Sequence, residues 1–345
     1  MKNSSEGSRF YKMKICLVFS LLTTFIMNSQ DFSDLYEKLN PSVVTILTTE
    51  TVFSNGGISQ GSGLGSGVLI DKKGFVMTAA HVVGSAETIK IKTFDGQVIE
   101  ADVISSVAPA DVALLKLKKV PKNITISDLG DSNLMKTGDQ ALVIGAPFGI
   151  EHSLSIGHIS GRQKRGMMLS GQEMEFLQTD AAINTGNSGG PIFNTEGKVI
   201  GIVSSIMTKT GGFDGIGFAA AINPAKEILF ESSPFWTGFE GLFINEQLTS
   251  VFNIPAKGGM LVQRVVSNSA ADKAGLKGGW LKANILGSEI WVGGDVILSI
   301  EHTSCDTPHN FKDIKSQLKE LSGEKEVNMK ILRGGEIKNI TISFK

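Results

Sequence analysis

Short apolar runs separated by glycine, aspartate and asparagine fill the chain from about residue 43 to residue 222. The runs are rich in β-branched residues, and they do not alternate with helical segments in a βαβ pattern. Short strands at this spacing are typical of β-barrels and β-sandwiches, so the pattern predicts a mainly β body. The clearest predicted strands are 43–51, 67–70, 75–78, 88–93, 98–104, 112–117, 141–144 and 199–205.

Two segments near the start of this region have a different pattern. Apolar residues recur at helical spacing over 32–39 and stop before Pro41, which predicts one short amphipathic helix. The glycine-rich residues 56–67 are predicted to form a loop, because glycine favours tight turns. This loop contains no G-x-G-x-x-G and leads into a strand, so it is not interpreted as a nucleotide-binding loop.

A second module follows a boundary at 223–237, where a short predicted helix near 224–230 precedes two serines and a proline. Its predicted strands are 259–266, 295–300, 327–332 and 337–344, with a short helix at 270–274. A longer helix is predicted to begin at Pro308, with Thr307 as its N-cap. We therefore expect a first domain over 30–230 and a small α+β domain over 238–345.

The first 29 residues resemble a secretory signal. Three basic residues precede an apolar stretch at 15–27 that is too short to span a bilayer comfortably. We predict a signal peptide over 1–29 and a periplasmic or secreted protein; the alternative is that the segment is retained as an N-terminal anchor. Of the two cysteines, Cys16 lies in this segment, which leaves Cys305 without a disulfide partner.

Composition excludes several other classes of function. The net charge of −1 gives no electrostatic signal for binding nucleic acid. No cluster of histidine and cysteine has the spacing of metal ligands, so neither a metal nor a cofactor is predicted. With 41% hydrophobic and 19% charged residues, the chain has the composition of a globular protein.

Three segments carry candidate catalytic residues: His81 in 78–83 (TAAHVV), Asp111 in 110–115 (ADVALL) and Ser188 in 185–191 (TGNSGGP). A serine hydroxyl needs a base to remove its proton, and an imidazole can accept that proton and pass it to the leaving amine. A buried carboxylate fixes the imidazole tautomer. The flanking glycines would let the amides of Gly186 and Ser188 form an oxyanion hole.

Each of these residues also has an ordinary structural interpretation. His81 alone would more often be a structural histidine, and Asp71, Asp95 and Asp102 compete with Asp111 for its role. The G-x-S-x-G run also fits an α/β-hydrolase elbow, but that elbow needs a helix after the serine and a histidine downstream in the same domain. A strand is predicted after Ser188, so we reject the elbow.

These segments resemble the HtrA/Deg family of trypsin-like proteases with PDZ domains. The resemblance rests on 65–67 (GSG) leading to His81, on 179–184 (TDAAIN) leading to 186–191, and on 215–219 (GIGFA). It implies two six-stranded β-barrels with the catalytic triad at their junction, followed by a PDZ domain. It also implies homotrimers or larger homo-oligomers: Phe32 and Tyr36 resemble aromatics that support trimers in this family, and simple packing on the barrel is the alternative for them.

The resemblance further implies the specificity of the site. Ala182 would stand at the base of the specificity pocket, with Val203 and Ile206 on its walls, which favours cleavage after small or medium aliphatic residues. Family members act on unfolded or misfolded polypeptides, so protein quality control with regulation through the PDZ domain is the expected function. The alternatives are a chaperone or peptide-binding protein on a protease scaffold, and a regulatory protease with one dedicated substrate.

The PDZ domain would bind peptide C-termini through backbone N–H groups while the peptide adds a strand. Two stretches fit the carboxylate-binding loop, 236–239 (WTGF) and 239–242 (FEGL). The expected peptide-binding residues are Thr237, Gly238, Phe239 and, on the last helix, Phe311. An insertion at 280–292 departs from the simplest PDZ pattern, and the sequence assigns it no role.

Overall fold

The computed structural model describes residues 31–54, 57–84, 86–166, 173–208, 212–231, 238–266, 269–285, 288–307, 310, 313–314 and 326–343. The predicted signal segment 1–29 lies outside the described residues, as does most of the helix predicted from Pro308. The chain divides into two units, 1–38 and 39–345. The predicted first helix is confirmed as α1 (Ser33–Leu39). Within the described ranges, no helix is long and apolar enough to cross a membrane.

Six strands close into a first barrel in the order β1-β2-β3-β6-β5-β4. The strands are β1 (Val43–Ser54), β2 (Gly57–Leu69), β3 (Phe75–Thr78), β4 (Thr88–Lys92), β5 (Val98–Val107) and β6 (Val112–Leu117). The short helix α2 (Ala80–Val83) follows β3. Strand β6 is buried at nearly every position, and its side chains fill the barrel with those of β1, β3 and β4.

The predicted loop over 56–67 is wrong, because residues 57–67 belong to β2 and pair with β1 along their whole length; residue 56 lies outside the described residues. Its glycines permit close approach of neighbouring side chains. A β-carbon at Gly67 would lie 2.8 Å from Cγ1 of Val76, and one at Gly63 would lie 2.3 Å from Oγ1 of Thr48. Glycine inside a strand often marks such an approach, and the composition alone does not distinguish it from a loop.

A second closed barrel follows, in the order β10-β11-β12-β9-β8-β7. Its strands are β7 (Gln140–Gly145), β8 (Ser153–Gly166), β9 (Glu173–Thr179), β10 (Pro191–Phe193), β11 (Val199–Ile206) and β12 (Gly217–Ala221). Helix α3 (Ile222–Lys226) and a π-helical turn at Glu227–Glu231 then confirm the predicted boundary helix, two residues earlier than expected. The expected double six-stranded β-barrel is confirmed.

The C-terminal domain is the predicted α+β module. Its sheet has the order β13-β14-β17-β19-β20, and β18 pairs with β17. The elements are β13 (Phe239–Ile244), α4 (Glu246–Val251), β14 (Gly259–Val265), α5 (Ala270–Lys273), β15 (Leu281–Ile285), β16 (Ser288–Val292), β17 (Val296–Ile300), β18 (Thr303–Ser304), β19 (Glu326–Arg333) and β20 (Glu336–Ser343). The insertion is a separate hairpin, in which β15 pairs with β16. Oγ1 of Thr307, the predicted N-cap, accepts a hydrogen bond from the Asn310 amide at 3.4 Å.

An ion pair anchors the C-terminal sheet. The fully buried carboxylate of Asp295 accepts hydrogen bonds from Nε and Nη2 of Arg333 at 2.7 and 2.6 Å, and from the Lys277 amide at 2.8 Å. Nη2 of Arg333 also donates to the Gly275 carbonyl at 2.7 Å. Because a buried charge is tolerated only with such partners, the pair fixes β19 to the start of β17.

Candidate active site

His81 lies on α2, immediately after β3. The neighbouring side chains of Ala80 and Val83 are buried, and Val83 packs in the core of the first barrel. This one-sided burial fixes the helix on the barrel and leaves the imidazole 47% exposed. The buried apolar neighbours of His81 in the sequence therefore orient its imidazole away from the barrel core and toward solvent.

Asp111 precedes β6 and follows a 3-10 turn at Ala108–Ala110. Its backbone has φ 51° and ψ 45°, a left-handed conformation that aspartate and asparagine adopt more readily than most residues. Both carboxylate oxygens lie 2.9 Å from Nδ1 of His81, and Oδ1 also accepts the His81 amide at 3.1 Å. An ionised carboxylate here favours the tautomer with the proton on Nδ1, which leaves Nε2 as the proton acceptor.

The competing aspartates have other partners. Asp71 accepts the Phe75 amide at 2.9 Å within a turn, and Asp95 accepts the hydroxyl of Thr93 at 2.6 Å. Asp102 is exposed and lies 3.7 Å from Nζ of Lys118.

Ser204, on β11, was not among the predicted site residues. Its buried hydroxyl donates to Oδ2 of Asp111 at 2.5 Å, so a residue of the second barrel helps to hold the carboxylate of the first. No local motif marks this serine; its only sequence signal is a polar residue within an apolar strand.

The Ser188 loop is fixed by backbone contacts on two sides. The Gly189 amide donates to the Val203 carbonyl at 2.8 Å, and the Ser66 amide donates to the Ser188 carbonyl at 2.8 Å. A β-carbon at Gly189, where φ is +80°, would lie 2.1 Å from Oγ1 of Thr78, so only glycine fits there. A β-carbon at Gly65 would lie 2.5 Å from Cγ1 of Val82 and 3.2 Å from the Ser188 carbonyl oxygen. The absence of a side chain at Gly65 therefore lets the His81 helix and the Ser188 loop both approach β2 at the junction of the barrels.

Ser66 is a second residue that the sequence analysis missed. Its hydroxyl is fully buried, donates to the Gly186 carbonyl at 2.7 Å and accepts the Ala146 amide at 3.0 Å. Its own carbonyl accepts the hydroxyl of Thr78 at 2.7 Å. One side chain of the first barrel thus fixes two backbone segments of the second, including the one that carries the nucleophile.

The amides near Ser188 differ in their partners. The Asn187 amide donates to the Asn184 carbonyl at 2.9 Å, and the Thr185 carbonyl accepts the Phe148 amide at 2.7 Å. Across the described ranges, the amides of Gly186 and Ser188 have no such acceptor. They remain the predicted oxyanion donors, and Gly186 has the φ of +103° that glycine readily adopts.

The three predicted pocket residues have different environments. Ala182 is exposed, and its carbonyl lies 3.5 Å from Nδ2 of Asn187. The side chain of Val203 is fully buried in the core of the second barrel, and Ile206 packs against the same core from a partly exposed position. Their role in specificity stays a prediction.

The expected peptide site of the C-terminal domain lies along β13, which is an edge strand of its sheet within the described residues. Gly238 has φ +86°, and its carbonyl accepts the Val266 amide at 2.8 Å. Phe239 begins β13 opposite Val265. Thr237 and Phe311 lie outside the described residues.

Two six-stranded barrels with a histidine–aspartate pair and a glycine-flanked serine at their junction define a trypsin-like peptidase. Residues 65–202 match the family model of the trypsin-like peptidase domain, and residues 245–344 match that of the PDZ domain.

Individual relatives agree with these matches. A probable periplasmic DegP-like serine endoprotease of Pseudomonas fulva is 32% identical over an alignment of 390 residues. The alignment covers 99% of this chain and 76% of that protein. Periplasmic serine endoprotease DegP of Salmonella typhimurium is 34% identical over 85% of this chain and 60% of that protein. A DegP-like relative from Pseudomonas putida is 36% identical, and the match spans only 55% of its length.

Solved structures give the same result. The HtrA-type protease AlgW with a decapeptide has a TM-score of 0.52 and 27% identity, over 91% of this chain and 98% of that one. AlgW with a tripeptide has a TM-score of 0.51 and 28% identity, over 90% and 96% of the two chains. The chain belongs to the family of DegP-like, HtrA-type serine endoproteases.

Proposed function

We propose that this chain is a serine endopeptidase in which Ser188 is the nucleophile, His81 the general base and Asp111 the orienting carboxylate. The observation that carries the proposal is the connected set of hydrogen bonds from Ser204 through Asp111 to Nδ1 of His81. A histidine oriented in this way, on a helix next to a glycine-flanked serine loop, is the arrangement that nucleophilic catalysis requires.

The proposed reaction follows from these positions. Nε2 of His81 removes the proton of the Ser188 hydroxyl as its oxygen attacks the scissile carbonyl, and the imidazolium then protonates the leaving amine. The amides of Gly186 and Ser188 would stabilise the oxyanion, and each such donor is typically worth about 10²–10³ in turnover. Water then hydrolyses the acyl-enzyme by the same route.

The proposed substrates are unfolded or misfolded polypeptides cleaved after small or medium aliphatic residues. The uncharged Ala182 supports this choice, because a Lys or Arg side chain would find no counter-charge there. We place the protein in the periplasm or outside the cell, which the names of the relatives and the predicted signal peptide 1–29 support. The proposed domains are the protease at 30–230 and the PDZ domain at 238–345.

The PDZ domain is proposed to bind peptide C-termini at Gly238 and Phe239 and to regulate proteolysis. The open edge of β13 supports this, since an extended peptide can add a strand there. Solved relatives with a decapeptide and a tripeptide also agree with it. A homotrimer or larger homo-oligomer is proposed as the functional assembly.

Degradation of denatured casein tests the proposal, with wild type compared with Ser188→Ala, each with and without a hydrophobic C-terminal peptide. We expect cleavage by wild type only, and a change in rate when the peptide is added. Equal cleavage by both would assign the activity to another nucleophile. If neither cleaves and both suppress aggregation of an unfolded client, the chaperone interpretation replaces the protease. Cleavage of one native protein and not of casein would indicate a dedicated substrate.

A further inference from the structure

The inserted hairpin is held against the neighbouring sheet by the side chains of Gln263 and Ile290. Nε2 of Gln263 on β14 donates to the Trp291 carbonyl at 3.0 Å, and Oε1 of Gln263 accepts the Trp291 amide at 2.8 Å. Ile290 is buried in a cluster with residues of β13, β14, β17 and β19. Because both the backbone and an apolar side chain of β16 are held, Trp291 has a fixed position beside β14.

Arg264, next to Gln263, connects this hairpin to the catalytic helix. Its guanidinium carbon lies 5.8 Å from the centre of the Trp291 ring, within the range of a cation–π contact. On the other side, a β-carbon at Gly84 would lie only 2.7 Å from Nη1 of Arg264. Gly84 is the C-cap of α2, the helix that carries His81. The guanidinium therefore occupies the space that a side chain at this C-cap would take.

Two further charged groups face this contact. Glu240 is opposite Arg264 in the β13–β14 register, and its Oε1 would lie 3.7 Å from a β-carbon at Gly84. Burial raises the pKa of Glu240, the Arg264 guanidinium opposes this rise, and the negative charge of Asp111 adds to it. The charges of the PDZ domain thus act on the same region as the catalytic carboxylate.

We propose that Arg264, held by the inserted hairpin through Trp291, is a positioning residue that supports the His81 helix at Gly84. This deepens the proposed function and rests on it, because the predicted effect is on peptide hydrolysis.

The first test approaches the contact from both sides. Arg264→Ala removes the guanidinium, whereas Gly84→Ala displaces it from the protease side. Alanine can adopt the backbone conformation of position 84, where φ is −59° and ψ is −38°. The nearest atom to its β-carbon is the end of the flexible Arg264 side chain, which can move aside. With a short chromogenic peptide ending in valine before the leaving group, we expect each variant to lower kcat about threefold to tenfold with KM unchanged. The double variant should be no worse than either single variant.

The second test does not depend on activity. In a Ser188→Ala background, Arg264→Ala should speed amide hydrogen exchange over residues 79–84, because their support is lost. The matched control for both tests is Lys330→Ala, which removes one exposed positive charge from β19 far from the contact in the sheet order.

The proposal requires both results. Unchanged exchange over 79–84 in the Arg264→Ala variant overturns the proposal. Faster exchange with a wild-type kcat also overturns it. So does a double variant in which the kcat effects of Gly84→Ala and Arg264→Ala multiply. If the wild-type chain does not hydrolyse peptides at all, the proposed function fails; exchange then still decides whether Arg264 supports the helix.

Discussion

Replacing Asp111 by asparagine tests the central arrangement of the site with little change in shape. Nδ1 of His81 lies 2.9 Å from both carboxylate oxygens, so either orientation of an asparagine amide places an NH₂ group beside Nδ1. That group repels a protonated Nδ1 and favours the tautomer with the proton on Nε2. Nε2 then cannot accept the proton of Ser188, and we expect kcat to fall about 10⁴-fold. This corresponds to about 5.5 kcal/mol of lost transition-state stabilisation.

The assay compares kcat for a short peptide substrate with the midpoint of thermal unfolding. Asparagine tolerates the left-handed backbone at position 111, so the midpoint should stay close to that of wild type. Asp102→Asn is the matched control, since it makes the same exchange at an exposed aspartate and should leave kcat unchanged. A value of kcat for Asp111→Asn within tenfold of wild type would refute the assignment of this carboxylate.

The remaining predictions concern stability and chemical reactivity. Arg333→Met leaves Asp295 buried without its counter-ion, so urea unfolding should show a loss of about 3–5 kcal/mol, whereas the exposed Lys330→Met on the same strand should change little. Burial lowers the pKa of His152 below its ordinary value of 6.5, so the unfolded chain binds more protons there and stability falls with decreasing pH. His152→Gln should flatten this dependence between about pH 7.5 and pH 5, as measured by urea midpoints. Burial raises the pKa of Cys305 to about 12, so a thiol reagent at pH 8 should label Cys305 only when the protein unfolds. The labelling is measured on a chain that lacks residues 1–30, because this removes Cys16. Rapid labelling of the native protein would contradict the burial of Cys305.

The sequence predicted the features that local patterns encode. Apolar runs bounded by turn residues located most strands to within a few residues, because burial of alternate or successive side chains imposes those runs. The three catalytic candidates were also local, since each lies in a short segment whose flanking residues are small or buried. The oxyanion, pocket and peptide-site residues stay predictions.

The features that were missed depend on contacts between residues far apart in the chain. Ser66 and Ser204 act across the junction of the two barrels, 120 residues from Gly186 and 93 residues from Asp111 respectively. Ser204 has no local pattern that separates it from an ordinary serine in a strand, and the 65–67 motif around Ser66 does not indicate which residues its hydroxyl binds. The wrong prediction of a loop over 56–67 has the same origin. Gly63 and Gly67 are required because the side chains of Thr48, Ile46 and Val76 pack against them, and these residues come close only in the folded protein.

The hydroxyl of Ser66 also bears on how the protein matures. It belongs to the first barrel, and both of its partners, the Gly186 carbonyl and the Ala146 amide, belong to the second. A chain in which only one barrel has formed lacks this link, and it also lacks the bond from Ser204 to Asp111. Each barrel therefore supplies a hydrogen bond that the other barrel's part of the site requires, and a chain whose barrels have not yet docked has no complete site for cleaving other proteins. Competence to cleave therefore depends on the docking of the two barrels.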